Sequence, residues 1–249
     1  MNPVFRILDW HAYAPGLESR QAWQAWARSP SLPAGEAAPA LAEMPAMQRR
    51  RVEKLGRMAL QVAYWTQPAI EPDCPLVFAS RHGDLSRTYS MLQELARERP
   101  LSPTHFGLST HNAIAAQYGI ARALPANYLA VSAGACTGEA AIVEALGLLA
   151  DGARKVLVVN YDGLVPGDYS QFCDEPDCDY AWAWRIGLDM GDAAVDAPRF
   201  SLETRGAQTS SQAQPVLPHG LDLLRFMLSQ EVQLVFQAAE QTWSWRRHA

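Results

Sequence analysis

The chain has 249 residues, a mass of 27.4 kDa, a hydrophobic fraction of 49% and a charged fraction of 19%, enough apolar material for one large domain or two small ones and too much for a disordered chain. A formal net charge of −5 and a pI near 5.7 speak against a nucleic-acid partner, because a phosphate backbone demands clustered Lys and Arg. No apolar run reaches the roughly 18 residues of a membrane span, Met1 to Arg6 lacks the basic-then-apolar pattern of a signal peptide, and four cysteines in a chain this long make no disulfide framework, so a reducing, cytoplasmic setting is expected.

Val4 to Trp10, β-branched and aromatic, reads as a strand, and Pro15-Gly16 breaks the chain after it. Gln21 to Arg28 predicts a short helix with Trp23 and Trp26 on one side. Pro30 to Pro39 is a Pro/Ala/Gly connection. The basic run Arg49-Arg50-Arg51 opens a helical segment to about Trp65, with Val52, Leu55, Ala59, Val62 and Ala63 as its apolar stripe and Lys54 and Arg57 outside. Pro75 to Ser80 predicts a short buried strand. Ser86 to Arg97 predicts a helix that aligns Tyr89, Leu92 and Leu95. Beyond Ser102-Pro103-Thr104 comes another helix, around Asn112 to Leu124.

Tyr128 to Ala133 is strand-like. Thr137 to Ala150 is helical, with Ala141, Ala145, Leu148 and Leu149 inward, and Asp151-Gly152 stops it. Lys155 to Asn160 and Tyr180 to Met190 read as further strands. This order predicts an α/β fold around a largely parallel sheet covered on both faces. After Ala193 the signals weaken: a Gln/Ser/Pro-rich loop over Ala207 to Pro218, a short helix over Leu221 to Leu228, and a strand over Leu234 to Arg247, where Trp243 and Trp245 alternate with polar residues. No internal repeat is present.

The residues that carry chemistry lie around Cys136. A strand leads into the small-residue turn Ala133-Gly134-Ala135-Cys136, and a thiol at the start of the following helix sits where the helix dipole favours thiolate. That is a place for a nucleophile, with His82 or His111 as candidate bases, and equally a place for a small buried residue in a tight joint. Cys173 and Cys178 flank Asp174, Glu175, Asp177 and Asp179. With no paired C-x-x-C spacing and no nearby His, this cluster reads as a solvated acidic loop; no metal and no cofactor are expected. Asp162-Gly163 reads as a structural turn. Trp10, Trp23, Trp26, Trp243 and Trp245 are assigned to core or subunit interface.

The stretch Val131-Ser132-Ala133-Gly134-Ala135-Cys136-Thr137-Gly138, followed by Ala141 to Ala145, Asp151-Gly152-Ala153 and Lys155 to Val159, resembles the β-ketoacyl synthases of the thiolase-like fold. Upstream, Leu101 to Phe106 and Asn112 to Ala115 resemble the region preceding it in those enzymes. Pro15-Gly16, Met47 to Arg51, Arg57-Met58, Ser80 to Gly83, Ser109 to Asn112 and Ser132 to Gly134 resemble a short subfamily of chain-length-factor partners from aryl polyene and related pathways. The resemblance spans about residues 3 to 190 and, more weakly, the tail. It implies a single synthase-like N-terminal domain over 1–249, with a core of about 3–190 and a tail of 191–249.

Two departures from the synthase pattern bear on activity. An ungapped alignment through Gly138, Ile142 and Ala145 puts Ala135 at the nucleophile position, and one residue along a helix is a rotation of about 100°. The two His and one Lys that a complete synthase draws from its second half have no matching motif here; the only lysines are Lys54 and Lys155. The resemblance therefore implies a non-catalytic subunit that pairs with a full-length ketosynthase and walls its acyl tunnel. Asn112, Leu129, Val131, Ser132, Gly134 and Ala135 would lie at the interface, and Arg49, Arg50 and Arg51 would meet an acidic acyl carrier protein. Two alternatives stand beside it: an acyl-thioester transferase or hydrolase using Cys136 with His111 or His82, and a scaffold that only docks the carrier.

Overall fold

The computed structural model describes residues 3–191, 196–206, 215–238 and 241–249. Its elements follow in chain order: β1 (Phe5–Tyr13), α1 (Arg20–Arg28), α2 (Ala46–Arg49), α3 (Lys54–Thr66), β2 (Leu76–Ala79), α4 (Leu85–Ala96), α5 (Pro103–Ser109), α6 (Ala113–Arg122), β3 (Tyr128–Val131), α7 (Thr137–Ala150), β4 (Val156–Asp162), β5 (Tyr180–Leu188), β6 (Arg199–Gly206), α8 (His219–Leu228), β7 (Gln233–Ala238) and β8 (Gln241–His248). One sheet holds all eight strands in the order β3-β2-β4-β5-β1-β6-β8-β7.

The sheet is mixed, not largely parallel as expected. Only β2 pairs in parallel, with β3 and β4; β4 with β5, β5 with β1, β1 with β6, and the β6-β8-β7 group all pair antiparallel. A strand buried on both faces carries the same unbroken apolar run in either direction, so its composition does not reveal its polarity.

Alternation along the strands divides the interior into two cores. Val77 and Ala79, Val156 and Val158, and Tyr180, Trp182, Trp184 and Ile186 face one side, with α7, α8 and α1. Leu76 and Phe78, Leu157 and Val159, and Ala181 and Ala183 face the other, with α3 and α6. On the first side Trp182 stacks on Trp184 at 4.1 Å. The predicted Trp23–Trp26 pair is an edge-to-face contact at 5.1 Å in the same core.

Helix boundaries follow local chemistry. Ser19, Asp84 and Ser102 cap α1, α4 and α5 with side-chain oxygens. The segment expected as one helix from Arg49 is two, α2 and α3, separated at Arg50–Glu53. The aligned Tyr89, Leu92 and Leu95 of α4 do not face the core: Leu92 and Leu95 are exposed, while Arg87 and Met91 turn inward.

The C-terminal residues complete the fold. β6, which sequence reading missed, joins the sheet beside β1 at Phe5 and Arg6. Leu234 to Arg247, expected as a single strand, is the antiparallel pair β7 and β8. Of the loop expected over Ala207 to Pro218, residues 207–214 lie outside the described residues. β8 turns Trp243 and Trp245 into the first core, where Trp245 meets Phe5 and Trp184 edge-on. α7 therefore packs between β2 and β4 on one side and α8 and β8 on the other.

Candidate functional site

The tip between β3 and α7 is set by its smallest residues. Gly134 holds a left-handed φ of +57°, and one turn of 3-10 helix over Gly134–Cys136 leads into α7. The Thr137 hydroxyl ties the tip down, donating to the Gly134 carbonyl at 2.7 Å and accepting from the Ala133 N–H at 3.0 Å. Gly138 comes next; a Cβ there would strike Leu223 of α8, so this glycine lets α7 and α8 approach closely.

Beside this tip lies a cleft of about 1210 Å³. Among the described residues, Ala133 to Cys136 form one side, β7 and Trp243 another, and Arg81, Glu175 and His219 its polar floor. The floor is organised by Asp162 at the end of β4. Its carboxylate accepts from Ser80 Oγ at 2.7 Å and from the Arg81 and His82 N–H groups at 3.2 Å each. Burial pushes the Asp162 carboxyl above its ordinary pKa, although these three donors oppose the shift. Asp162, read from sequence as part of a structural turn, ties the β2–α4 connection to the end of β4.

The acidic loop is not simply solvated. Arg81 pairs with Asp174 at 2.7 Å and Glu175 at 3.0 Å, Asp177 accepts from the Val165 N–H, and Asp179 accepts from the Leu164 N–H and pairs with Lys54 at 2.6 Å. These carboxylates are spent on charge pairing and loop closure. The four cysteines are free.

Cys136 lines the cleft together with Ala135. Its thiol takes a hydrogen bond from Trp243 Nε1 at 3.1 Å and so faces β8. Burial raises the Cys136 pKa; the Trp243 donor pulls the other way without prevailing, and the nearby Glu139 adds to the rise. Burial thus leaves this thiol less acidic than an ordinary cysteine, against the activation expected at a helix start. Neither candidate base reaches the thiol. His111 spends Nε2 on the Val131 carbonyl at 3.2 Å and lies against Gly83. The His82 backbone is held by Asp162, and its side chain is exposed. Among the described residues Trp243 is the sole hydrogen-bond partner of the Cys136 thiol.

The remaining predicted residues divide between the cleft and the sheet edge. Leu129 and Val131 lie on β3, the outermost strand. Ser132 donates to the Arg81 carbonyl at 3.0 Å. Asn112 is exposed at the start of α6. Arg49 turns back to the Leu41 carbonyl at 3.1 Å, while Arg50 and Arg51 are exposed.

Sequence reading missed the most deeply built polar group. Glu139 of α7, fully buried, contacts His219 Nε2 through Oε1 at 2.7 Å and accepts from Trp245 Nε1 at 3.0 Å. His219, at the first turn of α8, stacks on Phe236 at 3.4 Å, and its backbone N–H donates to Glu175 at 2.9 Å. The available signal was a Glu as the third residue of a helix and a His after Pro218; the 80 positions between them hid the pairing.

Comparison with known proteins places the chain. No curated protein sequence matches it. Among solved structures, one chain of the ketosynthase ApeO in complex with its chain length factor ApeC, from Xenorhabdus doucetiae, is 30% identical with a TM-score of 0.81, covering 98% of this chain and 99% of that one. The ishigamide ketosynthase/chain length factor matches at 17% identity and a TM-score of 0.62, over 83% of this chain and 68% of that one. A type II polyketide synthase carrier protein in complex with its ketosynthase, AntDE:AntF, matches at 12% and 0.61, over 83% and 70%. These last two speak for the fold alone. No helix among the described residues is long and apolar enough to cross a membrane. The family model for the β-ketoacyl synthase N-terminal domain matches residues 23–246; the α/β fold is that of the thiolase-like ketosynthases, and the chain belongs to the β-ketoacyl synthase N-terminal-domain family.

Proposed function

We propose that this chain is a non-catalytic, chain-length-factor-like subunit that pairs with a full-length β-ketoacyl synthase and shapes its acyl tunnel during fatty-acid or polyketide-type (aryl polyene) elongation. The observation that carries the reading is likeness over essentially the whole length of a chain from a ketosynthase–chain length factor complex. Two features of this chain support it. Its thiol has a raised pKa and no histidine partner, and the only lysines, Lys54 and Lys155, pair with Asp179 and Glu71, leaving no evident means to decarboxylate a malonyl thioester or hold an enolate.

The pairing surface in this reading is the β3 edge. Tyr128 and Leu129 there, Leu92 and Leu95 of α4 and Phe106 of α5 are exposed apolar side chains, and an outermost strand offers unpaired backbone groups to a second sheet. Arg50 and Arg51, next to the exposed Met47, present the basic and apolar chemistry that suits an acidic acyl carrier protein; Arg49 serves its own loop instead.

Co-expression with a full-length β-ketoacyl synthase of the same genome tests the reading. A 1:1 complex by light scattering is expected, together with a synthase whose product length changes when this chain is omitted. Leu129→Asp should weaken the complex at least tenfold without lowering the melting temperature of this chain. No complex, and a synthase indifferent to its presence, would refute the proposal. Acylation of Cys136 by carrier thioesters, read by intact mass, would favour the enzymatic alternative.

A further inference from the structure

The sheet ends on β7, whose strand partner among the described residues is β8. Along an antiparallel strand, successive residues turn their backbone groups to opposite edges. The Val232 carbonyl accepts from the Arg247 N–H at 2.9 Å. Val232, Leu234 and Phe236 therefore turn their backbone groups to β8, and Val235 turns its own outward. The Val235 side chain is 57% exposed. Gln233–Ala238 carries no charge and no proline, and its pairing with β8 has no bulge; these are devices by which an edge strand ordinarily refuses a neighbour. The charge just before it, Glu231, is taken up by Arg225 at 3.2 Å.

The order Gln233-Leu234-Val235-Phe236-Gln237 reads nearly alike in both directions. Antiparallel pairing with a second copy about Val235 sets Gln233 opposite Gln237, Leu234 opposite Phe236, and Val235 opposite itself. Amides then meet amides and valine meets valine on one face, while an aliphatic side chain meets an aromatic one on the other. The same register suits the backbone. The two Val235 residues, both turned outward, exchange N–H to carbonyl bonds as a hydrogen-bonded pair. A slip of one residue would set each Val235 against a residue whose groups point away, to its own β8.

We infer that β7 is a self-association edge, through which two copies of this chain join antiparallel about a twofold axis at Val235 and continue one sheet across both. The β3 edge lies at the other end of the sheet, so this inference stands whether or not a synthase pairs there. Where both hold, two synthase-bound pairs are joined through β7. The paired segment is short, so the association is weak and depends on concentration.

Sedimentation velocity of the full chain over about 5 to 500 µM tests it, with a reversible monomer–dimer equilibrium in the micromolar range expected. Val235→Lys sets two like charges opposite each other and should weaken the dimer about tenfold or more, with the melting temperature unchanged because the side chain is exposed. Val235→Cys should give a disulfide-linked dimer on mild oxidation, since Cα atoms of a hydrogen-bonded pair lie about 5.5 Å apart, within a disulfide's reach. Val232→Cys, at a position 70% exposed but distant from its own copy in this register, should link no faster than the parent. A chain that stays monomeric, a dimer untouched by Val235→Lys, or equal linking of the two cysteine variants would overturn the proposal. A dimer lost in Leu129→Asp and kept in Val235→Lys would overturn it too, by assigning self-association to the β3 edge.

Discussion

Cys136 shows how far a single position can be read. The turn and the helix start were visible in its neighbours, but the environment that decides its reactivity comes from Trp243, 107 positions away. With its pKa raised by burial, Cys136 should react with iodoacetamide at pH 8 more slowly than free cysteine, because only the thiolate attacks. Rapid alkylation at pH 6–7, followed by mass spectrometry, would contradict this. His11 makes a pH prediction of definite sign. Burial, then the adjacent Arg20, lowers its pKa from 6.5 to about 4, against a smaller opposing effect of Asp9. The unfolded chain therefore takes up the proton first, and stability falls as pH drops from about 6.5 to 4, then levels off. Allowing for partial exposure, the loss is about 1–2 kcal/mol. Urea midpoints at pH 7 and pH 4.5 should differ less in His11→Gln by that amount.

Among the elements, α7 was the most legible: a continuous small-residue and aliphatic run with a Gly-bearing stop gives its bounds, Thr137–Ala150. Its partner was not, since nothing near Gly138 announces Leu223. Gly138→Ala gains helix propensity yet must push Leu223 aside, so we expect a net loss of about 1–2 kcal/mol in urea unfolding. Leu223→Ala should destabilise alone but relieve part of the Gly138→Ala cost in the double variant. α4 teaches the converse. Its Tyr89–Leu92–Leu95 stripe is helical in spacing but leaves Leu92 and Leu95 in solvent, because periodicity reports that a helix has an apolar face and not whether its own chain covers it.

Over the whole molecule, the C-terminal strands close the layer above α7, and Trp245 is the hub: it touches Phe5 of β1, Trp184 of β5 and Glu139 of α7. Trp245→Ala should cost about 3–5 kcal/mol by leaving a large cavity and stripping a donor from a buried carboxylate. Trp245→Phe, which keeps most of the volume, should cost about 1–3 kcal/mol, the range for an unmet buried acceptor. Chemical denaturation of the two variants separates packing from hydrogen bonding. If both unfold like the parent, the strands do not secure α7. The β3 edge, at the far end of the sheet from β7, carries the exposed Tyr128 and Leu129.

The sequence alone determined β1, α1, β2, α4, α6, β3, α7, β4 and β5, though not the α2/α3 break or α5, and the resemblance of the β3–α7 stretch to the synthases, because period, turn residues and caps are short-range properties. Strand polarity, the β6-β8-β7 closure and the Glu139–His219–Trp245 group were decided only in three dimensions. Each depends on side chains or backbones far apart in the chain, whose meeting is set by how buried surfaces fit and which donors remain to be satisfied, and neither leaves a mark on neighbouring residues.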